Sequence, residues 1–145
     1  MEDKKYYFEF DEIVHYNIEI EQEQLSKKNR RLGEILMQNV PDSISDTLFL
    51  KELDTLSFQM KTLNPDLYDD IGDLFRVKEN ADSIFAACIP MYRDILVFKK
   101  SHKVVGIAKV CFECDLNHIV GAKYNSELFG QNGDYEKLQK LLYQK

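Results

Sequence analysis

The sequence predicts an α+β fold: a mainly antiparallel sheet, built from an N-terminal strand and a C-terminal three-strand meander, packed with about four helices. Three observations predict it. Residues 6–20 alternate apolar and polar side chains with period two. Residues 92–122 hold three runs rich in β-formers, separated by short polar loops, which is the pattern of hairpins. Between these two regions, and again at the C-terminus, apolar residues recur at helical spacing. Together they describe a single α+β domain spanning residues 1–145.

Tyr6 to Ile20 opens the chain as a half-buried strand. Tyr6, Phe8, Phe10, Val14, Tyr16, Ile18 and Ile20 share its apolar face, and His15 falls on the polar, solvent-facing side. Glu12 interrupts the apolar face, so a bend or bulge is expected near Asp11-Glu12. From Glu21 to Gln38 the period changes, and Leu25, Leu32, Ile35 and Leu36 form a helical stripe that Val40-Pro41 ends. A second helix is predicted from Ser45 to Ser57, with Ser43 or Ser45 as cap and Phe49, Leu53 and Leu56 buried. Asn64-Pro65 starts a third, since Asn caps while Pro occupies the first turn, where no amide is needed. That helix buries Leu67, Ile71, Leu74 and Phe75 and shows Asp66, Asp69, Asp70 and Asp73 to solvent. The aspartate spacing does not match a calcium-binding loop.

Arg76 to Ser83 reads as a polar connector, and Ile84 to Ile89 as a short buried strand or the lead-in to the sheet. The meander follows as Tyr92–Phe98, Val104–Phe112 and His118–Ala122, with a turn across Lys99–Lys103. Lys123 to Gly133 is a turn-rich loop long enough to wrap the sheet or carry function. A last helix begins near Asp134, its expected cap, and buries Leu138, Leu141 and Leu142. The helices are expected to cover one face of the sheet.

Composition narrows the function classes. The chain is 44% hydrophobic and 30% charged, an ordinary folded composition. No apolar run is long enough to cross a bilayer, and MEDKKYYFEF lacks an apolar signal core, so a cytoplasmic protein with no membrane partner is expected. Net charge is −6 and unevenly spread. Residues 1–80 carry 18 acidic against 10 basic side chains, and residues 81–145 carry 7 against 9. Such a surface repels nucleic-acid phosphates and attracts a basic protein, although solvated helix faces alone account for the same charge.

Residues 88–119 hold all three cysteines and two of the three histidines. Three is an odd number, so reduced thiols or a metal are expected in place of a disulfide framework. Cys111-Phe-Glu-Cys114 is a CxxC, and Cys88 and His118 complete a Cys₃His set of the kind that holds structural zinc. The competing reading is simple packing, because free cysteine is among the most buried residue types. A redox CxxC needs a helix after its first cysteine to stabilise a thiolate, and none is predicted there. Cys88 beside His118 or His102 makes at most a nucleophile–base pair that only the fold can assemble. Tyr92-Arg93-Asp94 places an arginine at the start of a strand, where Arg93 and Tyr92 are candidate contacts for an anionic ligand or a partner. Gly130-Gln-Asn-Gly133 precedes a helix but contains no cation, so a loop-to-helix cap explains it.

The stretches CIPMYRDILVF, KVVGIAKVCFEC with its following histidine, and FGQNGDYEKL resemble a group of small bacterial proteins with no established function. The resemblance covers Cys88 to about Leu142. Small acidic proteins of that style look like immunity partners of secreted toxins. Three functions are therefore expected in turn. The first is a non-enzymatic protein-binding module, of the toxin-neutralising immunity type, with a basic protein partner and no cofactor. The second is a zinc-stabilised module using Cys88, Cys111, Cys114 and His118. The third is a small enzyme with a Cys/His or Arg93-centred pocket. No residue set identifies a catalytic pair.

Overall fold

Six residues from Glu12 to Asn17 form strand β1, and four in succession, Ile13 to Tyr16, are buried. A strand with water on one face buries only alternate residues, so this run requires protein on both sides of the sheet. The computed structural model describes residues 4–25, 29–78, 88–130 and 133–143. Its further elements are α1 (Arg30–Met37), α2 (Thr47–Thr55), β2 (Gln59–Thr62), α3 (Tyr68–Leu74), β3 (Asp94–Lys100), β4 (Lys103–Cys111), β5 (Leu116–Val120) and α4 (Asp134–Leu142). The five strands form one antiparallel sheet in the order β2-β1-β3-β4-β5. The fold is thus α+β, with four helices among the described residues around an antiparallel sheet. Among the described residues no helix is long and apolar enough to cross a membrane.

The helices divide between the two faces, and do not cover one. Ile13, Leu96, Phe98, Ala108 and Val110 pack against Ile71 and Leu74 of α3 and Leu138 and Leu142 of α4. Val14, Tyr16, Ile95, Val97 and Ile107, on the alternate positions, pack against Ile35 of α1 and Phe49 and Leu53 of α2. Two helix layers therefore sandwich the sheet, which is why β3 reads as the nearly continuous apolar run ILVF.

The predicted break near Asp11 is real. Before it the chain leaves the ladder and runs over the α3/α4 face, where Tyr7 and Phe8 are buried and the Tyr7 amide donates to Phe75 O at 2.8 Å. The Phe8 ring stacks on Phe98 at 4.5 Å between centroids and lies directly over Gly106. A Cβ at Gly106 would fall inside that ring, so only glycine admits the segment.

Local chemistry differs from expectation at several ends. The described part of 21–38 holds a 3₁₀ turn, Gln22–Gln24, and then α1, in place of one helix; residues 26–28 lie outside the described residues. Asp46, not a serine, caps α2 by accepting from the Phe49 amide at 3.0 Å. Asn64 caps as predicted, but it opens a 3₁₀ turn, Pro65–Leu67, that leads into α3. Gly133 precedes α4 with φ of 79° and takes the place expected of Asp134. The β3–β4 turn is only Ser101-His102, both at positive φ as a two-residue hairpin turn demands. The loop after β5 does pack on the core, through the buried ring of Phe129. Most of the apolar stretch Ile84–Ile89, and the end of the connector before it, lie outside the described residues.

Candidate functional site

Register decides which polar side chains meet. Antiparallel pairing sets Asn17 opposite Asp94, and His15 lies one pleat along β1 on the same face. His15, expected to face solvent, is 6% exposed, because α4 covers that face and brings Tyr143 over it. His15 Nε2 lies 2.8 Å from Asp94 Oδ1. Asn17 Nδ2 donates to the same oxygen at 3.3 Å and to the Tyr143 hydroxyl at 2.8 Å. The Tyr143 hydroxyl also donates to Asp94 Oδ1. Burial, then the bond to Asp94 and its charge, push the Tyr143 phenol well above its usual range.

Asn17, Asp94 and Tyr143 of this group line a cleft of about 490 Å³, sited where β1 and β4 end and β3 begins, with the buried Asp94 at its floor; His15 is not among the lining residues. Arg93 forms one wall. Its Nε donates to Ile20 O at 2.7 Å, one terminal nitrogen donates to Glu113 at 3.0 Å, and the other lies 3.7 Å from Glu21. Glu19, Glu21, Asp94 and Glu113 all line the cleft, and Arg93 is the one basic side chain among the described lining residues. Phe112 and Tyr143 add aromatic surface. Four carboxylates against one engaged guanidinium make the cleft an attractor for cations.

The structure does not gather the Cys₃His set. Cys88 and Cys114 are joined in a disulfide, against the expectation of reduced thiols or metal. The chain turns at residues 112–115, carrying Cys114 off the strand toward the segment that precedes β3. Cys111 remains a free thiol, buried on β4 beside Tyr92. His118 sits on β5, and its Nε2 donates to Pro41 O at 2.7 Å. Burial holds its pKa below the usual histidine value, partly offset by that bond. Among the described residues no three His, Cys, Asp or Glu side chains form a group that fits a metal ion. Of the two further candidates, Arg93 lines the cleft. Tyr92 does not: it is buried, with its ring beneath the Lys109 ammonium at 4.8 Å.

Lys109 is a second buried polar centre. It is fully buried on β4 and donates to Gln38 O at 2.8 Å and Val40 O at 2.7 Å, just beyond the end of α1. Burial, helped by the nearby Arg31 charge, pushes its pKa down to about 7. A buried ion pair, Lys78 to Asp134 at 3.1 Å, ties the chain after α3 to the start of α4. Sequence reasoning missed Lys109, and it missed His15 and Asp94 as members of a site. For His15 and Lys109 the available signal was a polar residue inside a strand with apolar neighbours on both sides, as in VHY and AKV; Asp94 follows Arg93 and carries no such signal.

Fold and site define an α+β protein with an acidic cleft at one end of an antiparallel sheet. No known family, no curated protein and no solved structure matches the chain.

Proposed function

We propose that this protein is a non-enzymatic binding module for a basic protein and that the acidic cleft is its contact surface. One observation carries the reading: Glu19, Glu21, Asp94 and Glu113 line a single cleft whose one described cation, Arg93, is already bonded to Ile20 O and Glu113. The net charge of −6 adds long-range attraction for a basic partner and opposes nucleic acid. Binding is preferred to catalysis because no histidine lines the cleft. His15 Nε2 is engaged by Asp94, and His118 is engaged by Pro41 O on the opposite face of the sheet. The narrower reading, a toxin-neutralising immunity protein of a bacterium, rests on the resemblance of residues 88–142 described above. The Cys88–Cys114 disulfide bears on where the partner is met, because reducing cytosol would hold both as thiols.

The test is affinity capture with the native protein and with a Glu21→Gln/Glu113→Gln variant, followed by kinetics on the purified partner. The expected result is a basic partner retained by the native protein and lost by the variant, with an association rate that falls as salt rises. A partner that is neutral or acidic, or that binds both proteins equally, would rule the cleft out as the contact surface.

A further inference from the structure

We infer that the cleft receives one arginine side chain of the partner, with Asp94 as its buried anchor. This rests on the proposed basic partner and names the chemistry it brings.

Asp94 is 6% exposed yet lines the cleft. Its three donors, His15, Asn17 and Tyr143, all converge on Oδ1. Oδ2 accepts no hydrogen bond among the described residues, and it is not one of the buried oxygens sealed away without a partner. A carboxylate has about four lone-pair positions, so one side of this group is held rigidly and the other is unmet among the described residues. An unmet carboxylate oxygen at the floor of an acidic cleft is an acceptor for a cationic donor.

Three features select guanidinium over ammonium. Carboxylates stand at two levels: Asp94 at the floor, and Glu113 and Glu21 with strongly exposed side chains at the rim. A guanidinium presents five donors in a planar fork and bridges two carboxylates along separate edges, whereas an ammonium is a compact point charge. Phe112 and Tyr143 supply aromatic surface for a planar cation to stack on. Arg93 shows the same chemistry in place, one guanidinium shared between a carbonyl and the rim carboxylates. At about 490 Å³ the cleft lies at the lower end of the range for small-ligand sites, roughly 300–1,000 Å³, enough for one long side chain.

The test is an NMR titration of the full chain at low salt. The probes are Nα-acetyl-arginine N-methylamide, its lysine counterpart and its citrulline counterpart, an uncharged isostere. The arginine probe should saturate, shift Asn17, Glu113 and Tyr143 resonances, and bind about tenfold or more tightly than citrulline. Asp94→Asn should abolish binding. Asp94 also accepts three bonds that hold the fold, so Glu113→Gln at the exposed rim is the second variant. It should weaken the arginine probe several-fold with an unchanged far-UV spectrum. Equal binding of citrulline or lysine, or indifference to both substitutions, would overturn the inference. The two readings fail separately. A captured basic protein with no arginine-probe binding removes the anchor alone, and probe binding with no basic protein captured removes the partner reading alone.

Discussion

Lys109 and His15 sit inside strands whose neighbours are apolar, and each is stable there only because its bonds are met. The Lys109 ammonium fills two carbonyls past the end of α1, so the position is polar by need. Its pKa gives a direct test. The unfolded chain holds the proton up to the ordinary 10.5, and the folded protein only up to about 7. Between these values the unfolded state binds more protons, so stability rises with pH across that window, and the loss is constant below it. Urea midpoints should therefore climb from pH about 7 to about 9.5, just short of the ordinary tyrosine range near 10. Above that range the trend reverses, because burial pushes the Tyr7 and Tyr16 phenols up to about 12. In Lys109→Met the climb should be reduced, and equal slopes in the two proteins would count against a buried lysine that folds uncharged.

At the scale of elements, the cross-link between the lead-in to β3 and the β4–β5 turn is the feature that composition argued against. An odd cysteine count predicts no disulfide framework, and it carries no information on which two cysteines the fold brings together. Here the turn at 112–115 places Cys114 against the lead-in, while Cys111 stays inside the sheet. Protein denatured without reductant should show one free thiol per chain. Cys88→Ser should lower stability by about 3–4 kcal/mol, the loop-closure entropy for cysteines 26 residues apart. Three free thiols would remove the disulfide and restore the reading of packed, reduced cysteines, and one zinc per chain would restore the metal reading. Strand β2 was not legible for a different reason. All four of its residues are exposed, so QMKT carries no apolar alternation and exists only by pairing with β1.

At the scale of the molecule, the two helix layers decide the character of the site. Without the α3/α4 layer, His15 and Asp94 would face water, and Asp94 would be an ordinary surface carboxylate. The layers are testable by truncation. Phe49 of α2 and Leu138 of α4 are both fully buried, on opposite faces. Phe49→Ala should cost about 3–5 kcal/mol and Leu138→Ala about 2–5 kcal/mol in denaturant unfolding. A near-neutral Phe49→Ala would mean that α1 and α2 do not cover the sheet.

The sequence by itself determined the α+β class, the places of the four described helices and every described strand but β2, because periodicity and turn chemistry are local properties that survive without a partner. It also marked the acidic character and the arginine at the start of β3. Tertiary structure alone decided that both sheet faces are covered, that Cys88 pairs with Cys114, and that His15, Asn17, Asp94 and Tyr143 meet beneath an acidic cleft. These depend on strand register and on which face each helix takes. Both are set by contacts between residues as far apart as Asn17 and Tyr143, and no local pattern records them.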